Sequence, residues 1–253
     1  MQVSGEKRTV AVTGGARGIG EAITETFLDQ GCRVAILDND LEALDRHAAR
    51  DTGGALLTVG TDVADEASVA EAFARLDHQW GGIDVLCNNA GVSIRRDVLD
   101  TSAAEWNRVL AVNLTGAFYA GRQAALRMRT RGRGTIINTA SVSGLVGMPH
   151  YAAYNASKAG LIELTRTMAL ELAPTVRVNA VCPGYVLTPM QEAEYTAQML
   201  AECAATIPLG RLGTPREIAE LVSYLASDAA AFITGQSFVI DGGESAGGLA
   251  STV

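Results

Sequence analysis

Tyr154 and Lys158 stand four residues apart in Tyr-Asn-Ala-Ser-Lys, and Ser141 precedes the tyrosine by thirteen residues. On a helix, positions i and i+4 share a face with Cβ atoms about 5–6 Å apart, which would bring the Lys158 ammonium near the Tyr154 ring. A phenol with a reference pKa of about 10 is a poor base at neutral pH, and a fixed cation beside it favours the phenolate. The pair therefore reads as a proton-transfer device. Steps of three and four from it meet Leu161, Thr165, Met168 and Leu172, flanked by Ile162 and Ala169, which puts Tyr154 and Lys158 on the inward face of that helix. A lysine on such a face is costly without partners, and this is a reason to look for a site around it.

The rest of the composition narrows what that site handles. The chain has 253 residues, 48 % of them hydrophobic, enough for a substantial core, and a formal net charge of −8. That charge argues against a nucleic-acid surface, and no polybasic block flanks an apolar segment as a membrane anchor requires. No run reaches the roughly 18 apolar residues of a membrane span, and Met1 to Thr9 is polar without an apolar signal core. A cytoplasmic protein with a small-molecule partner is expected. Cys32, Cys87, Cys182 and Cys203 form no CxxC pair and lie near no histidine at ligand spacing, so free thiols are expected and a metal site is not.

Positioning Tyr154 and Ser141 requires a scaffold, and the chain spells one out. Thr9 to Thr13 is a β-branched strand that passes into Gly14-Gly15-Ala16-Arg17-Gly18-Ile19-Gly20 and then a helix: strand, glycine turn and helix N-terminus make an anion site. The glycine spacing, G-x-x-x-G-x-G, departs from the usual dinucleotide fingerprint, so an ordinary β–α turn remains open at this point. The next strand, Arg33 to Leu37, ends in Asp38, a carboxylate that would accept from both hydroxyls of an adenosine ribose and repel a 2′-phosphate. Arg17 complicates that choice, since a cation in the turn would help hold a phosphate. Asn39 followed by Glu42 reads as a helix cap.

Further strands are expected at Ala55 to Val59, Ile83 to Cys87, Thr135 to Thr139, Val176 to Val181 and Phe238 to Ile240. Helices are expected from Asp65 to Trp80, from the Ser102–Glu105 capping box towards Met128, and from Thr214-Pro215-Arg216-Glu217 onward; Leu187 to Ile207 reads as less regular. Asp62 after the third strand suits either an adenine contact or a turn. Asn113 interrupts an apolar helical stripe as either a satisfied core amide or a functional one. Arg127 to Arg133 is the one basic tract, a solvated loop or a docking patch. The alternation predicts a single α/β domain over residues 1–253, a Rossmann-like doubly wound parallel sheet of about seven strands, with a substrate lid at about 185–210.

Taken together, Thr13-Gly14-Gly15-Ala16-Arg17-Gly18-Ile19-Gly20, Asn88-Asn89-Ala90-Gly91, Asn113, Ser141, Tyr154 with Lys158, and Pro183-Gly184 followed by Thr188 resemble the short-chain dehydrogenase/reductase family over essentially the whole chain. The resemblance implies a nicotinamide cofactor and a catalytic set of Asn113, Ser141, Tyr154 and Lys158. Tyr154 would be the general acid/base, Lys158 would lower its pKa and bind the nicotinamide ribose, Ser141 would bond the substrate oxygen, and Asn113 would hold a water linking Lys158 to solvent. Gly14, Arg17, Gly18, Ile19, Gly20, Asp38, Asp62, Val63, Asn89, Ala90, Gly91, Tyr154, Lys158, Pro183, Gly184, Val186 and Thr188 would line the cofactor site. Substrate-facing positions are expected from the segments around Ile94-Arg95-Arg96, Leu145 to Tyr151 and Tyr185 to Gln198: Ser141, Leu145, Tyr151, Tyr154 and Tyr185 would meet the substrate, with Val146, Met148, His150 and Met190 nearby. A homotetramer through the long helices and the last strand is also implied.

The expected activity is an NAD-dependent interconversion of a small, diol or cyclic secondary alcohol and its ketone, with NADP the less favoured cofactor. The rival is an NADPH-dependent 3-oxoacyl-[acyl-carrier-protein] reductase, which would use the Arg127 to Arg133 tract against an acidic partner.

Overall fold

The computed structural model describes residues 7–50 and 53–247; the polar segment before Lys7 and the end of the small-residue tail lie outside it. Seven strands form one sheet: β1 (Thr9–Thr13), β2 (Arg33–Asp38), β3 (Leu56–Gly60), β4 (Val85–Asn88), β5 (Gly134–Thr139), β6 (Val176–Pro183) and β7 (Ser237–Ile240). They pair in the order β3-β2-β1-β4-β5-β6-β7, with every pairing parallel. Strand boundaries fall within a residue or two of those read from the sequence. The central strands are Val- and Ile-rich because a parallel sheet is covered on both faces and must bury both sets of side chains.

Alternation along β1 shows the two layers. Ala11 packs with Phe73 and Leu76 of α3 (Glu66–Trp80) and with Ala124 and Met128 of α5 (Ala117–Arg131). Val10 and Val12 point the other way, to Ile23 and Phe27 of α1 (Gly18–Asp29) and to Ile218, Val222 and Leu225 of α9 (Pro215–Ala226). The remaining helices are α2 (Leu41–Ala48), α4 (Ala103–Leu110), α6 (Ala152–Leu172), α7 (Pro189–Glu194) and α8 (Ala197–Thr206). Both expected capping boxes form, at Ser102/Glu105 and Thr214/Glu217.

Several local expectations are corrected. The helix cap after β2 is Asp40, whose side chain accepts from the Ala43 N–H; Asp38 takes the Asp40 N–H, so the helix starts one residue later than Asn39 suggested. The single long helix expected after Ser102 is interrupted by a π-helical turn, Ala111–Gly116, centred on Asn113. The stretch read as irregular between Leu187 and Ile207 holds α7 and α8, each started by a threonine cap, Thr188 and Thr196.

The basic tract is turned to internal use. Arg127 chelates Asp77 with contacts of 2.7–2.9 Å, and Arg131 and Arg133 both reach Asp84 at 3.2 Å. Burial alone would raise the Asp84 carboxyl, but the Thr9 N–H and hydroxyl and the two guanidiniums outweigh it and hold the group below the usual carboxylate range. These arginines fasten the ends of α3 and α5 to the amino ends of the strands, away from the cleft described next.

Candidate active site

In such a sheet the chain leaves in opposite directions from β1 and β4, opening a crevice at their carboxyl ends. Here the two strand tips are clasped. Thr13 Oγ1 accepts the N–H groups of Asn89 and Ala90 at 3.0 and 3.1 Å, and Asn89 Nδ2 donates to the Gly14 carbonyl at 3.0 Å. Gly14 has φ +61°, and a Cβ there would stand 2.7 Å from the Ala90 Cα, so only glycine allows the approach. At Gly20 a Cβ would fall 2.0 Å from the Gly14 carbonyl oxygen. Gly20 therefore lies in α1 behind the turn and sets its shape, whereas Gly14, Arg17, Gly18 and Ile19 face the cleft directly.

That cleft, of about 740 Å³, is lined by every other residue expected at the cofactor: Asp38, Asp62, Val63, Asn89, Ala90, Gly91, Tyr154, Lys158, Pro183, Gly184, Val186 and Thr188. The Asp38 carboxylate takes the N–H groups of Ala16 and Asp40, both at 3.0 Å, which fixes it at the tip of β2. Arg17 does not join it. Its guanidinium pairs with Asp40 at 2.6 Å. Asp62 is occupied in an Asx turn with the Ala64 N–H at 2.9 Å and still borders the cleft. Bare glycine backbone, an uncluttered crevice and a ribose-sized acceptor at its end fit a dinucleotide.

The catalytic candidates converge where β5 and β6 end. Lys158 is 3 % exposed; its Nζ donates to the Thr139 carbonyl at 2.7 Å and lies 5.5 Å from the Tyr154 ring centroid. Burial lowers the lysine to about 8. Burial raises the Tyr154 phenol to about 12, offset in part by a hydrogen bond with Ser141 and reinforced by the Glu194 carboxylate. From the sequence, the cation is expected to push the phenol down. Dehydration wins instead. Cys182, packed beside Ser141 and Lys158, is raised to about 11 by its own burial and stays a thiol.

Ser141 lines the cleft and accepts the Ser143 N–H at 3.1 Å through Oγ. Asn113 does not line it. Fully buried, its amide takes the Val92 N–H at 2.8 Å, donates to the Val92 carbonyl at 2.9 Å and donates to Ser157 Oγ at 3.1 Å. Three of its four hydrogen-bonding capacities are thereby spent clamping the loop after β4 to α6. The π-helical turn is what lets one side chain meet both partners.

On the substrate side, Tyr151, Tyr154 and Tyr185 line the cleft with Met148 and Met190. Leu145 does not. The 3₁₀ turn Val142–Gly144 swings it outward, 45 % exposed, and Val146 follows it. His150, at φ +70°, faces a separate hollow with Asp97, 4.0 Å away. The sequence points to the segment Tyr185 to Gln198 for the substrate without singling out Gln191, Glu194 and Tyr195, which line the cleft. Tyr151 Oη donates to Glu194 Oε2 and exchanges a hydrogen bond with Tyr195 Oη, both at 2.9 Å, and the Tyr195 ring meets Tyr185 edge-on at 6.0 Å. The polar residues of a short helix with no apolar period give no signal of this kind.

The base of the lid rests on the tail. The Gly184 N–H donates to the Ile240 carbonyl at 3.1 Å, and a Cβ at Gly184 would lie 2.6 Å from Asp241 Cβ and 2.7 Å from Glu244 Oε2. Asp241 closes the tail turn on the N–H groups of Gly243 and Ser245. Burial and neighbouring Asp241 raise the Glu244 carboxyl, against a hydrogen bond from the Tyr185 N–H.

Comparison with known proteins gives a consistent set of likenesses. A family model described as enoyl-(acyl carrier protein) reductase matches residues 14–245. Over 249 residues the chain is 42 % identical to 2-(S)-hydroxypropyl-CoM dehydrogenase 3 of Xanthobacter autotrophicus, covering 95 % of this chain and 98 % of that one. It is also 42 % identical over 243 residues to cis-4-hydroxycyclohexanecarboxylate dehydrogenase of Sinomonas cyclohexanicum, covering 95 % and 97 %. Among solved structures, a short-chain dehydrogenase/reductase of Brucella melitensis titled glucose/ribitol dehydrogenase superposes with a TM-score of 0.89 at 34 % identity, covering 96 % and 99 %.

Burying the Lys158 ammonium has a measurable signature. Between the folded value of about 8 and the unfolded value of about 10.4 the unfolded chain binds more protons, so the wild type gains stability as pH rises through that window. Lys158→Met should therefore equal or exceed the wild type by about 1–3 kcal/mol at pH 7. By pH 10 the wild type should have caught up. Denaturant unfolding at both pH values checks this, and a Lys158→Met variant that is several kcal/mol less stable than the wild type at pH 7 would contradict it.

Proposed function

The chain belongs to the short-chain dehydrogenase/reductase family, and from that premise we propose that it interconverts a secondary alcohol and its ketone by hydride transfer, with NAD as the preferred cofactor. The observation that carries this reading is that Ser141, Tyr154 and Lys158 open into the same cleft as the glycine turn and Asp38. When bound, the nicotinamide supplies the hydride acceptor or donor. The protein supplies the proton path and the geometry.

Tyr154 exchanges a proton with the substrate oxygen, and Ser141, beside the phenol in the same cleft, orients that oxygen. With its phenol at about 12, Tyr154 is protonated at neutral pH and stands ready as the acid for ketone reduction. Lys158 sits beneath the ring and offers donors to a ribose. Asn113 acts by position, holding Val92 and α6 in register. At the other end, the fixed Asp38 carboxylate supports NAD: a 2′-phosphate would meet it directly, and the one cation in the turn, Arg17, is neutralised by Asp40. The alternative of a reductase serving an acidic carrier protein has a weakened docking patch, since Arg127 and Arg131 are turned inward to Asp77 and Asp84, leaving Arg129 and the partly paired Arg133 exposed.

No helix among the described residues is long and apolar enough to cross a membrane, and a cytoplasmic site of action fits the reading. Large apolar side chains stand exposed on α5 and α6 (Phe118, Leu126, Leu170) and in the chain around α9 and β7 (Tyr224, Phe232, Val239), among others. Exposed apolar side chains on these two groups of elements are consistent with a homotetramer built through the long helices and the last strand.

Tyr154→Phe should lower kcat by at least about 100-fold, within the range of a lost general acid/base, while NADH binding by fluorescence titration stays within about threefold. Wild-type turnover would refute the role. In the wild type, alcohol oxidation should climb with pH while ketone reduction holds nearly level from pH 6 to 9, because a phenol of about 12 keeps its proton throughout that range. Asp38→Ala should weaken NAD by about tenfold, one to two hydrogen bonds' worth, and narrow discrimination against NADP; unchanged NAD affinity would remove the ribose contact. Sedimentation equilibrium should give four chains, and a monomer at micromolar concentration would overturn the assembly.

A further inference from the structure

Charge in the substrate half of the cleft is distributed unevenly. Glu194, from α7, lines it and is held by Tyr151 through Oε2 at 2.9 Å, while Oε1 takes no hydrogen bond among the described residues. No ion pair among the described residues includes Glu194. Of the cations lining the cleft, Arg17 belongs to Asp40, Lys158 lies beneath Tyr154, and Arg108 stands on the α4 wall. Arg95 stacks over the Tyr195 ring at 6.0 Å and is not part of the lining. One turn before Glu194, Gln191 also lines the cleft, and its Oε1 is buried without a hydrogen-bond partner.

An unpaired carboxylate and an unpartnered amide oxygen are both acceptors, and a buried acceptor left unmade is costly. A substrate that brings a donor satisfies them. One that brings a carboxylate instead places like charges together in a partly dehydrated space, where repulsion is strong.

Resting on the dehydrogenase reading above, we propose that Glu194 and Gln191 make this a site for neutral or cationic alcohols carrying a second hydrogen-bond donor near the reacting carbon, and that Glu194 rejects substrates bearing a carboxylate. The likeness to enzymes named for an acidic substrate would then extend to the scaffold and chemistry and stop at this lid.

The test uses 2,3-butanediol, 2-butanol and 3-hydroxybutyrate, with kcat/KM measured for each. The wild type should favour the diol over the hydroxy acid at least tenfold. Glu194→Gln keeps an oxygen to accept from Tyr151 and removes only the charge, so it should shrink that ratio at least tenfold. Tyr151→Phe keeps the charge and removes the latch, so it should retain the discrimination. A wild type that turns over 3-hydroxybutyrate as well as the diol, or a ratio unmoved by Glu194→Gln, overturns the proposal. Failure to oxidise any of the three would instead remove the dehydrogenase reading. In that case calorimetric binding of the diol and the hydroxy acid to the NADH-loaded protein decides the selection, with the same tenfold criterion applied to Kd.

Discussion

An ammonium buried with no counter-ion is the constraint around which this molecule is arranged. Lys158 lies in the interior, bonded to the Thr139 carbonyl and, among the described residues, to no carboxylate, and its surroundings are small or neutral: Gly91, the Asn113 amide and the Cys182 thiol. An acid beside it would stabilise the cation and also quench it, leaving nothing to act on a neighbouring phenol. The uncompensated charge is destabilising, in the manner expected of a functional site, and the surrounding sheet and helices tolerate it because their own packing is continuous on both faces.

The scaffold that carries this burden was largely legible. β-Branched runs, glycine turns and capping boxes are local signals, and they gave all seven strands and the strand-end positions of Asp38, Asn89, Ser141 and Pro183. What the residues do there was less legible. The opposing effects on Tyr154, a nearby cation and dehydration, cannot be ranked without knowing burial, and the ranking came out against the expectation. Asn113 could be seen to break an apolar stripe, but not that it would force a π turn to reach Val92 and Ser157 at once. Arg17 and Asp38 look like competitors in the sequence, and only the fold shows that Asp40 holds the arginine.

The lid was the hardest part to read, for a physical reason. α7 has no buried residue at all, so no apolar period marks it. Its order comes from polar contacts, the Thr188 cap at one end and the Tyr151–Glu194 and Tyr151–Tyr195 bonds at the other. Such contacts depend on partners distant in sequence. The same property frees the lid from the core: its side chains can change without disturbing the packing beneath them.

The seat of the lid, where Gly184 is wedged against Ile240, Asp241 and Glu244, has a consequence for the order of synthesis. Residues 237–244 are translated after everything they hold. Until they emerge, β6 has an open edge and the Pro183–Thr188 segment has nothing to rest on, so the nascent chain carries its tyrosine and lysine but no finished crevice. The lid side of the cleft is therefore finished only when the last strand is in place.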